Sequence, residues 1–318
     1  MRIALDIDGG DYAPEAILAG AKQALLIYSD VQLLLVGTPE SLKTPAAAEL
    51  FACFGERVQS QVTGPPIAMH ESPVKALKHK PDASVVQGIQ TLCQDLAQAF
   101  ISAGNSGATV VSATQQIPRL PQVRRPALAV LFPGRQGETV LLDVGAQSKC
   151  TAAEMHKIAE LGSSFARHIL RKDEPTVGLL NMGEEPSKGP TLWRQTHELL
   201  SQSQLNFAGN IEGWDLPLNK VDVAVCDGFT GNLLLKLTEG LSEFFMDICP
   251  ELHDTPETAR FRYTEHGGSL VLGLEKLVII THGRAQSAAI ANAIALARRT
   301  LLNQTMKHMK EEFERSVP

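Results

Sequence analysis

From its first residues the chain alternates between two hydrophobic periods. The runs "RIALDI" at 2–7 and "VQLLLVG" at 31–37 enclose a segment, Pro14 to Ser29, whose apolar residues recur every three or four positions. Short apolar or alternating runs suit strands, and spacing of three and four puts apolar side chains on one face of a helix. Strand, helix, strand in that order is a βαβ unit, and its two strands run parallel because the crossover carries the chain back to the starting edge. The alternation continues. "AFISAG", "ALAVLFP", "ETVLLDVGA", "TVGLLNMG", "VDVAVCDGF" and "LEKLVIITHG" are strand candidates, and "SVVQGIQTLCQDLAQ", "AAEMHKIAELGSSFARHILR", "GPTLWRQTHELLSQS" and "GNLLLKLTEGLSEFF" are helix candidates. Such a chain is expected to fold as an α/β protein, with a mostly parallel sheet covered by helices on both faces. Its 318 residues, 44% of them hydrophobic, suffice for one domain spanning 1–318, built as a single body or as two closely packed lobes.

Many strand candidates end in glycine. In open α/β sheets, ligands bind beyond the carboxyl ends of the strands. There lie "DGGD" at 8–11, "AGNSG" at 103–107, "DVGA" at 143–146, "NMGEE" at 181–185, "NIEG" at 210–213, "DGFTGN" at 227–232 and "THG" at 281–283. One glycine after a strand is ordinarily a turn residue, and "DVGA" and "THG" carry no obligate chemistry. Seven such turns, many with Asp or Asn, point to a shared cleft. In "FISAGNSGATVV", Gly104, Asn105, Ser106 and Gly107 lead from a strand toward a helix, where backbone amides make a ready anion site. In "GEEPSKG", Glu184, Glu185 and Lys188 form a charged turn, which is either solvated surface or a lysine reaching into the cleft. In "CDGFTGN", a helix is expected to begin at Thr230 or Gly231, and Asn232 either turns its amide toward the cleft or caps that helix.

Other chemistries find no support. A net charge of -6 argues against general nucleic-acid binding, which needs a cationic face. The five cysteines, at 53, 93, 150, 226 and 249, contain no CxxC pair and suit reduced thiols in a cytosolic protein. No charged leader with an apolar core precedes Met1–Asp6, and no apolar run nears the roughly 20 residues that span a bilayer, so a soluble protein is expected. The chain lacks GxGxxG, GxxxxGK[ST], HExxH and GxSxG, and its nine scattered histidines suggest no metal site. An anion-receptive cleft without an obvious covalent nucleophile remains.

Taken in order, "LDIDGGD" (5–11), "SAGNSGA" (102–108), "RRPALAVLFP" (124–133), "LLDVGA" (141–146), "GLLNMGEEPSKG" (178–189), "NFAGNIEG" (206–213), "CDGFTGN" (226–232) and "HGGSLVLGL" (266–274) span nearly the whole chain. This series resembles the bacterial acyl-carrier-protein:phosphate acyltransferase family of phospholipid synthesis. The resemblance implies a three-layer fold similar to that of isocitrate and isopropylmalate dehydrogenases and of phosphotransacetylases, and a homodimer. It implies that an acyl-carrier-protein thioester reacts with inorganic phosphate to give acyl phosphate, with no metal or other cofactor. Under that reading Lys188, Asn232 and Asp227 are the catalytic candidates. Gly104, Asn105, Ser106 and Gly107, with Gly9, Gly10 and Asp11, are the candidates for phosphate or substrate binding. The carrier is acidic, so Lys75, Lys78 and Lys80 of "KALKHK" and Arg124 and Arg125 of "RLPQVRR" are the docking candidates. The expected setting is the cytoplasm, with peripheral membrane association and passing contact with a membrane acyltransferase that uses the product.

The chain departs from the family pattern at several points. Ile7 and Asp8 stand where Ala and Met are usual, Ala83 and Ser84 replace a serine pair, and Gln147 and Lys149 replace Asn and Asp. The segment from Gly240 to Tyr263 is short, with Pro250 interrupting its apolar face, which weakens the case for membrane contact there. The stretch from Ala285 to Ser316 reads as one long helix, packed on the body or on a second subunit. Two alternatives remain: a phosphotransacylase using acyl-CoA, and a non-catalytic module that binds the carrier or its acyl chain.

Overall fold

The computed structural model describes residues 1–249 and 267–315. The chain divides into two compact units, one formed by residues 1–119 and 267–302, the other by 120–266 and 303–318. The first unit opens with β1 (Arg2–Asp6), α1 (Glu15–Ile27), β2 (Gln32–Gly37), α2 (Pro39–Leu42), α3 (Pro45–Phe54) and β3 (Val58–Val62). It continues with α4 (Pro73–His79), α5 (Ser84–Cys93), β4 (Ala99–Ser102) and α6 (Ser106–Gln116). The second contains β5 (Ala127–Gly134), β6 (Gly137–Leu142), α7 (Ala152–Ile169), β7 (Val177–Leu180), α8 (Thr191–Ser201), β8 (Phe207–Ile211), β9 (Val223–Val225) and α9 (Gly228–Ile248). The chain then returns to the first unit with β10 (Ser269–Leu272), β11 (Leu277–Ile280) and α10 (Ser287–Leu302), and ends in the second with α11 (Thr305–Arg315).

In the first unit the strands run β3-β2-β1-β4-β11, all parallel, with β10 antiparallel beside β11. In the second, β6, β9, β7 and β8 are parallel and β5 is antiparallel to β6. The α/β, mostly parallel architecture expected from the alternation is what forms. The central strands are apolar throughout because parallel strands lie between layers: all four residues of β4 and of β7 are buried. The β5–β6 pair is antiparallel because only Arg135 and Gln136 join Gly134 to Gly137, and two residues cannot carry a parallel crossover.

The tail corrects the expectation of one long helix. α10 stops at Leu302, and Gln304 adopts φ 50°, a left-handed turn that breaks the helical path. α11 buries Met306, Met309 and Phe313 at helical spacing and is clasped to α7 by a polar cluster. The carboxylate of Glu312 accepts hydrogen bonds from Ser164 Oγ (2.6 Å) and Arg167 Nη1 (2.9 Å), and lies 2.9 Å from His168 Nε2. Burial disfavours its charge, yet the bonds from Ser164, His168 and Arg167 outweigh that and hold its carboxyl below the ordinary 4.5. A depressed folded value means the clasp is at full strength above the unfolded value and is lost as pH falls through the folded one. The melting-temperature difference between wild type and Glu312→Gln is therefore expected to be constant near neutrality and to shrink progressively as pH falls below the ordinary carboxylate range. A difference that did not shrink at all on acidification would show that the clasp does not depend on the ionised carboxylate.

Candidate functional site

In the first unit, three glycine-rich turns meet at the carboxyl ends of β1, β4 and β11. Asp6, the last residue of β1, is 2% exposed and accepts hydrogen bonds from Ser102 Oγ (2.7 Å) and the Asp8 N–H (3.1 Å). Ser102 Oγ in turn accepts from the Gly104 N–H at 3.0 Å, so the buried carboxylate shapes the "AGNSG" turn through one hydroxyl. Burial pushes the Asp6 carboxyl up, against hydrogen bonds from Ser102 and Ser84 and from the Asp8 N–H. Gly9 must be glycine here: a Cβ would lie 2.6 Å from Asp6 Oδ2 and 2.7 Å from the Gly104 nitrogen. The Asp11 N–H donates to the Gly283 carbonyl at 2.7 Å, which joins the "DGGD" turn to "THG". "THG", without chemistry of its own in the sequence, is thus a structural member of the cluster. Among the residues that depart from the family pattern, Asp8 turns its carboxylate to Thr38, whose N–H donates at 2.6 Å.

The start of α6 corrects one residue role. Asn105 is the N-cap: its Oδ1 accepts from the Ala108 N–H (3.0 Å), and its Nδ2 donates to the carbonyls of Ala68, Met69 and Glu71 at 3.1–3.2 Å. That side chain clamps the 68–71 loop and has no N–H left for a substrate. The first-turn N–H groups of Ser106 and Gly107 have no intrahelical acceptor, and the helix dipole makes their surroundings electropositive. Among the docking candidates of this unit, Lys75 and Lys78 are exposed on α4, whereas Lys80 donates to Glu71 Oε2 (2.6 Å) and the Pro66 carbonyl (3.0 Å). Lys80 therefore holds its own loop, a correction to its reading as a free docking cation.

In the second unit the "DVGA" and "DGFTGN" turns are packed together by Asp143, which is fully buried. Its Oδ1 accepts from the N–H groups of Leu128 (3.0 Å), Gly145 (3.0 Å) and Ala146 (2.9 Å), and its Oδ2 from that of Gln147 (2.7 Å). Burial pushes this carboxyl up, and the backbone bonds oppose the rise. The Gly228 N–H donates to the Gln147 carbonyl at 2.9 Å, and a Cβ on Gly231 would lie 2.0 Å from the Asp143 carbonyl oxygen. The helix begins at Gly228, earlier than expected, and Asp227 caps it by accepting from the Thr230 N–H at 2.8 Å. Asn232 is thereby freed from capping. It sits in the first turns of α9, half-buried, its side chain without a hydrogen bond to any described residue, and its Nδ2 is 3.0 Å from where a Cβ of Gly145 would stand.

Lys188 occupies the turn after β7. Its carbonyl accepts from Asn181 Nδ2 (3.2 Å), and Asn210 Nδ2 donates to the Glu185 carbonyl (2.9 Å), so the backbone is pinned. Its side chain is half exposed, and the ammonium is 4.0 Å from Glu185 Oε2, a weak pairing that leaves it available to an anion. Glu184 is engaged by Lys220 at 2.5 Å. Cys226 and Cys150 lie near Asp143 but are poor nucleophiles: burial pushes the Cys226 thiol well up, and burial with the charges of Asp143, Glu154 and Asp227 pushes Cys150 up to about 12. Among the described residues, no group of three or more His, Cys, Asp or Glu side chains is placed to hold a metal ion. No described helix is long and apolar enough to cross a membrane.

The family model described as "Fatty acid synthesis protein" matches residues 1–308. A phosphate acyltransferase of Halothermothrix orenii is 37% identical over 333 aligned residues, covering 99% of both chains. Among solved structures, a branched-chain phosphotransacylase from Enterococcus faecalis superposes with a TM-score of 0.64 at 13% identity, over 95% of this chain and 99% of its own. A 4-hydroxythreonine-4-phosphate dehydrogenase from Klebsiella pneumoniae does so with a TM-score of 0.51 at 12% identity, over 93% and 98%. At these identities the two structures speak to the fold alone, and they link it to both transacylases and dehydrogenases.

Proposed function

Because this chain belongs to the phosphate acyltransferase family, we propose that it moves an acyl group from the thioester of an acyl carrier protein to inorganic phosphate. The products are an acyl phosphate and the free carrier thiol. An oxygen of hydrogenphosphate attacks the thioester carbonyl carbon, a tetrahedral oxyanion forms, and the carbon–sulfur bond breaks as the sulfur leaves with the electron pair and takes up the proton that hydrogenphosphate gives up. Phosphate is already a competent nucleophile near neutral pH, so no covalent enzyme intermediate is needed; the protein has to bring anion and carbonyl together and stabilise the oxyanion. The reaction as written balances without a metal ion or redox cofactor.

The observation that carries this reading is the first turn of α6, where Ser106 and Gly107 offer N–H groups to an anion on a turn fixed by Asp6 and Ser102. Gly9, Gly10 and Asp11 shape the neighbouring turn. Asn232 donates to the oxyanion, Asp227 sets the helix start that presents it, and Lys188 neutralises phosphate or the departing thiolate. Lys75 and Lys78, with Arg124 and Arg125, meet the acidic carrier. The exposed apolar row on α9, Phe229, Leu233, Leu237 and Leu241, supports a homodimer. The acyl phosphate so made is an early intermediate of phospholipid synthesis, formed in the cytoplasm and passed to an acyltransferase at the membrane.

The test is thiol release from palmitoyl-carrier protein with and without inorganic phosphate, with acyl phosphate trapped by hydroxylamine. Release that rises with phosphate, and yields hydroxamate, is expected. Turnover of palmitoyl-CoA but not of the carrier thioester would transfer the reading to a CoA-dependent phosphotransacylase. Binding of the carrier without turnover would leave a non-catalytic module.

A further inference from the structure

The second unit contains a cavity of about 260 Å³ beside the amino end of α7. Its charged lining is Arg124, Arg125, Lys157 and Glu154, and its apolar lining includes Ile158 and Leu161. Glu154 is already committed: its Oε2 accepts from the N–H (2.8 Å) and the hydroxyl (3.0 Å) of Thr151, the N-cap of α7. Lys157 pairs with Glu160 and reaches Gln122 Oε1 at 3.2 Å. Arg125, 60% exposed, is 3.9 Å from Glu154, a separation too long for a hydrogen bond. The lining is thus net cationic over an apolar floor, a combination suited to an anion attached to an organic stem rather than to a bare ion.

The position of the cavity says which anion. Gln147 lines it, and the carbonyl of the same residue holds the Gly228 N–H in the turn that presents Asn232. Gln147 therefore links the cavity wall to the turn that carries Asn232. At about 260 Å³ the cavity lies below the roughly 300–1,000 Å³ of pockets that take drug-sized ligands, room for a phosphodiester and a short stem, not for a whole long acyl chain.

Resting on the acyltransfer reading above, we propose that this cavity receives the phosphate end of the phosphopantetheine arm on which an acyl carrier protein bears its thioester. Arg124 and Arg125 clasp the phosphodiester, as guanidinium groups do bidentately. The uncharged amide arm runs past Gln147 and delivers the thioester to the turn of Asn232. Under this assignment the two arginines recognise the prosthetic group, and the acidic surface of the carrier falls to Lys75 and Lys78.

The experiment compares S-octanoyl-4′-phosphopantetheine with S-octanoyl-pantetheine, which lacks only the phosphate, as acyl donors to inorganic phosphate. Wild type is expected to favour the phosphorylated donor by at least about tenfold in kcat/KM. In Arg124→Ala with Arg125→Ala the ratio is expected to fall toward one. The single Arg125→Ala, at a largely exposed side chain, gives an intermediate ratio and serves should the double variant fold poorly. A wild-type ratio of one, or a ratio unchanged in both variants, overturns the proposal. So does a rise in KM for inorganic phosphate with the donor ratio intact, which would give the cavity to the free ion. Calorimetric titration with unacylated 4′-phosphopantetheine and with pantetheine separates this from the function itself. Arginine-dependent preference in binding without any turnover retains the cavity and removes the reaction, whereas turnover without preference does the reverse.

Discussion

Truncation of Asn232 to alanine is expected to lower kcat by about 100- to 1000-fold, the usual loss when one oxyanion donor is removed. The melting temperature should barely move. The Asn232 side chain is half-buried and makes no hydrogen bond to a described residue, so its amide contributes nothing to folding that alanine would forfeit. A group that is idle in the resting protein and useful only when charge develops is the pattern expected of transition-state stabilisation. Steady-state kinetics with varied phosphate and varied carrier thioester would check it. A fall in kcat with unchanged KM for phosphate is the expected split, whereas a raised KM with unchanged kcat would make Asn232 a ground-state phosphate ligand. A loss below tenfold would remove it from the reaction.

The second large effect is on stability. Asp143→Ala is expected to destabilise the second unit by at least about 2 kcal/mol, because each buried N–H left without an acceptor costs about 1–3 kcal/mol. Of the four backbone N–H groups that lose their acceptor at once, those of Leu128 and Gln147 are buried, whereas those of Gly145 and Ala146 are part-exposed and can turn to water. Asp143→Asn should cost less, since its carbonyl oxygen can still serve the three donors that share Oδ1 while its amide faces the Gln147 N–H. Urea unfolding of both variants measures the order. Equal stability of wild type and Asp143→Ala would mean that water enters the turn and replaces the carboxylate. Activity should fall along with stability in both, because Gln147 holds the turn of Asn232 through Gly228.

Much of the scaffold can be read directly from the sequence. Fully apolar runs such as "AFIS" and "VGLL" announce interior parallel strands, and the glycine-rich turns mark their carboxyl ends. Edge strands are harder. β3 reads "VQSQV", with only its first residue buried, and β8 reads "FAGNI", with Gly209 at φ 93°; neither offers the apolar run that identifies an interior strand. The break between α10 and α11 depends on the φ of a single residue, Gln304, in a stretch whose composition favours helix on both sides.

The site is legible in its turns and less so in its side chains. Asn105 stands in a motif that suggests a ligand, yet its amide is taken by carbonyls of residues 68–71, a contact that no local spacing reveals. Asp6 and Asp143, the two buried carboxylates that shape the turns, lie inside quoted motifs and are absent from the sequence-derived candidates. A signal for both exists: each carboxylate directly follows an apolar run, Ile3-Ala4-Leu5 before Asp6 and Val140-Leu141-Leu142 before Asp143, where charge is expensive unless several donors await it. Pro250 and Tyr263, on which the expectation about the shortened segment rests, lie outside the described residues.

The return of the chain to its first unit has a consequence for biosynthesis. β11 pairs with β4 in register from Leu277 opposite Ala99, so an interior neighbour of an early strand is encoded 178 residues (277 − 99) further along the chain. While the ribosome is still making the second unit, β4 is already outside the tunnel with one side unpaired, an apolar edge of the kind that recruits foreign strands. The nascent protein must tolerate that exposed edge until the residues of β11, Leu277–Ile280, have been made.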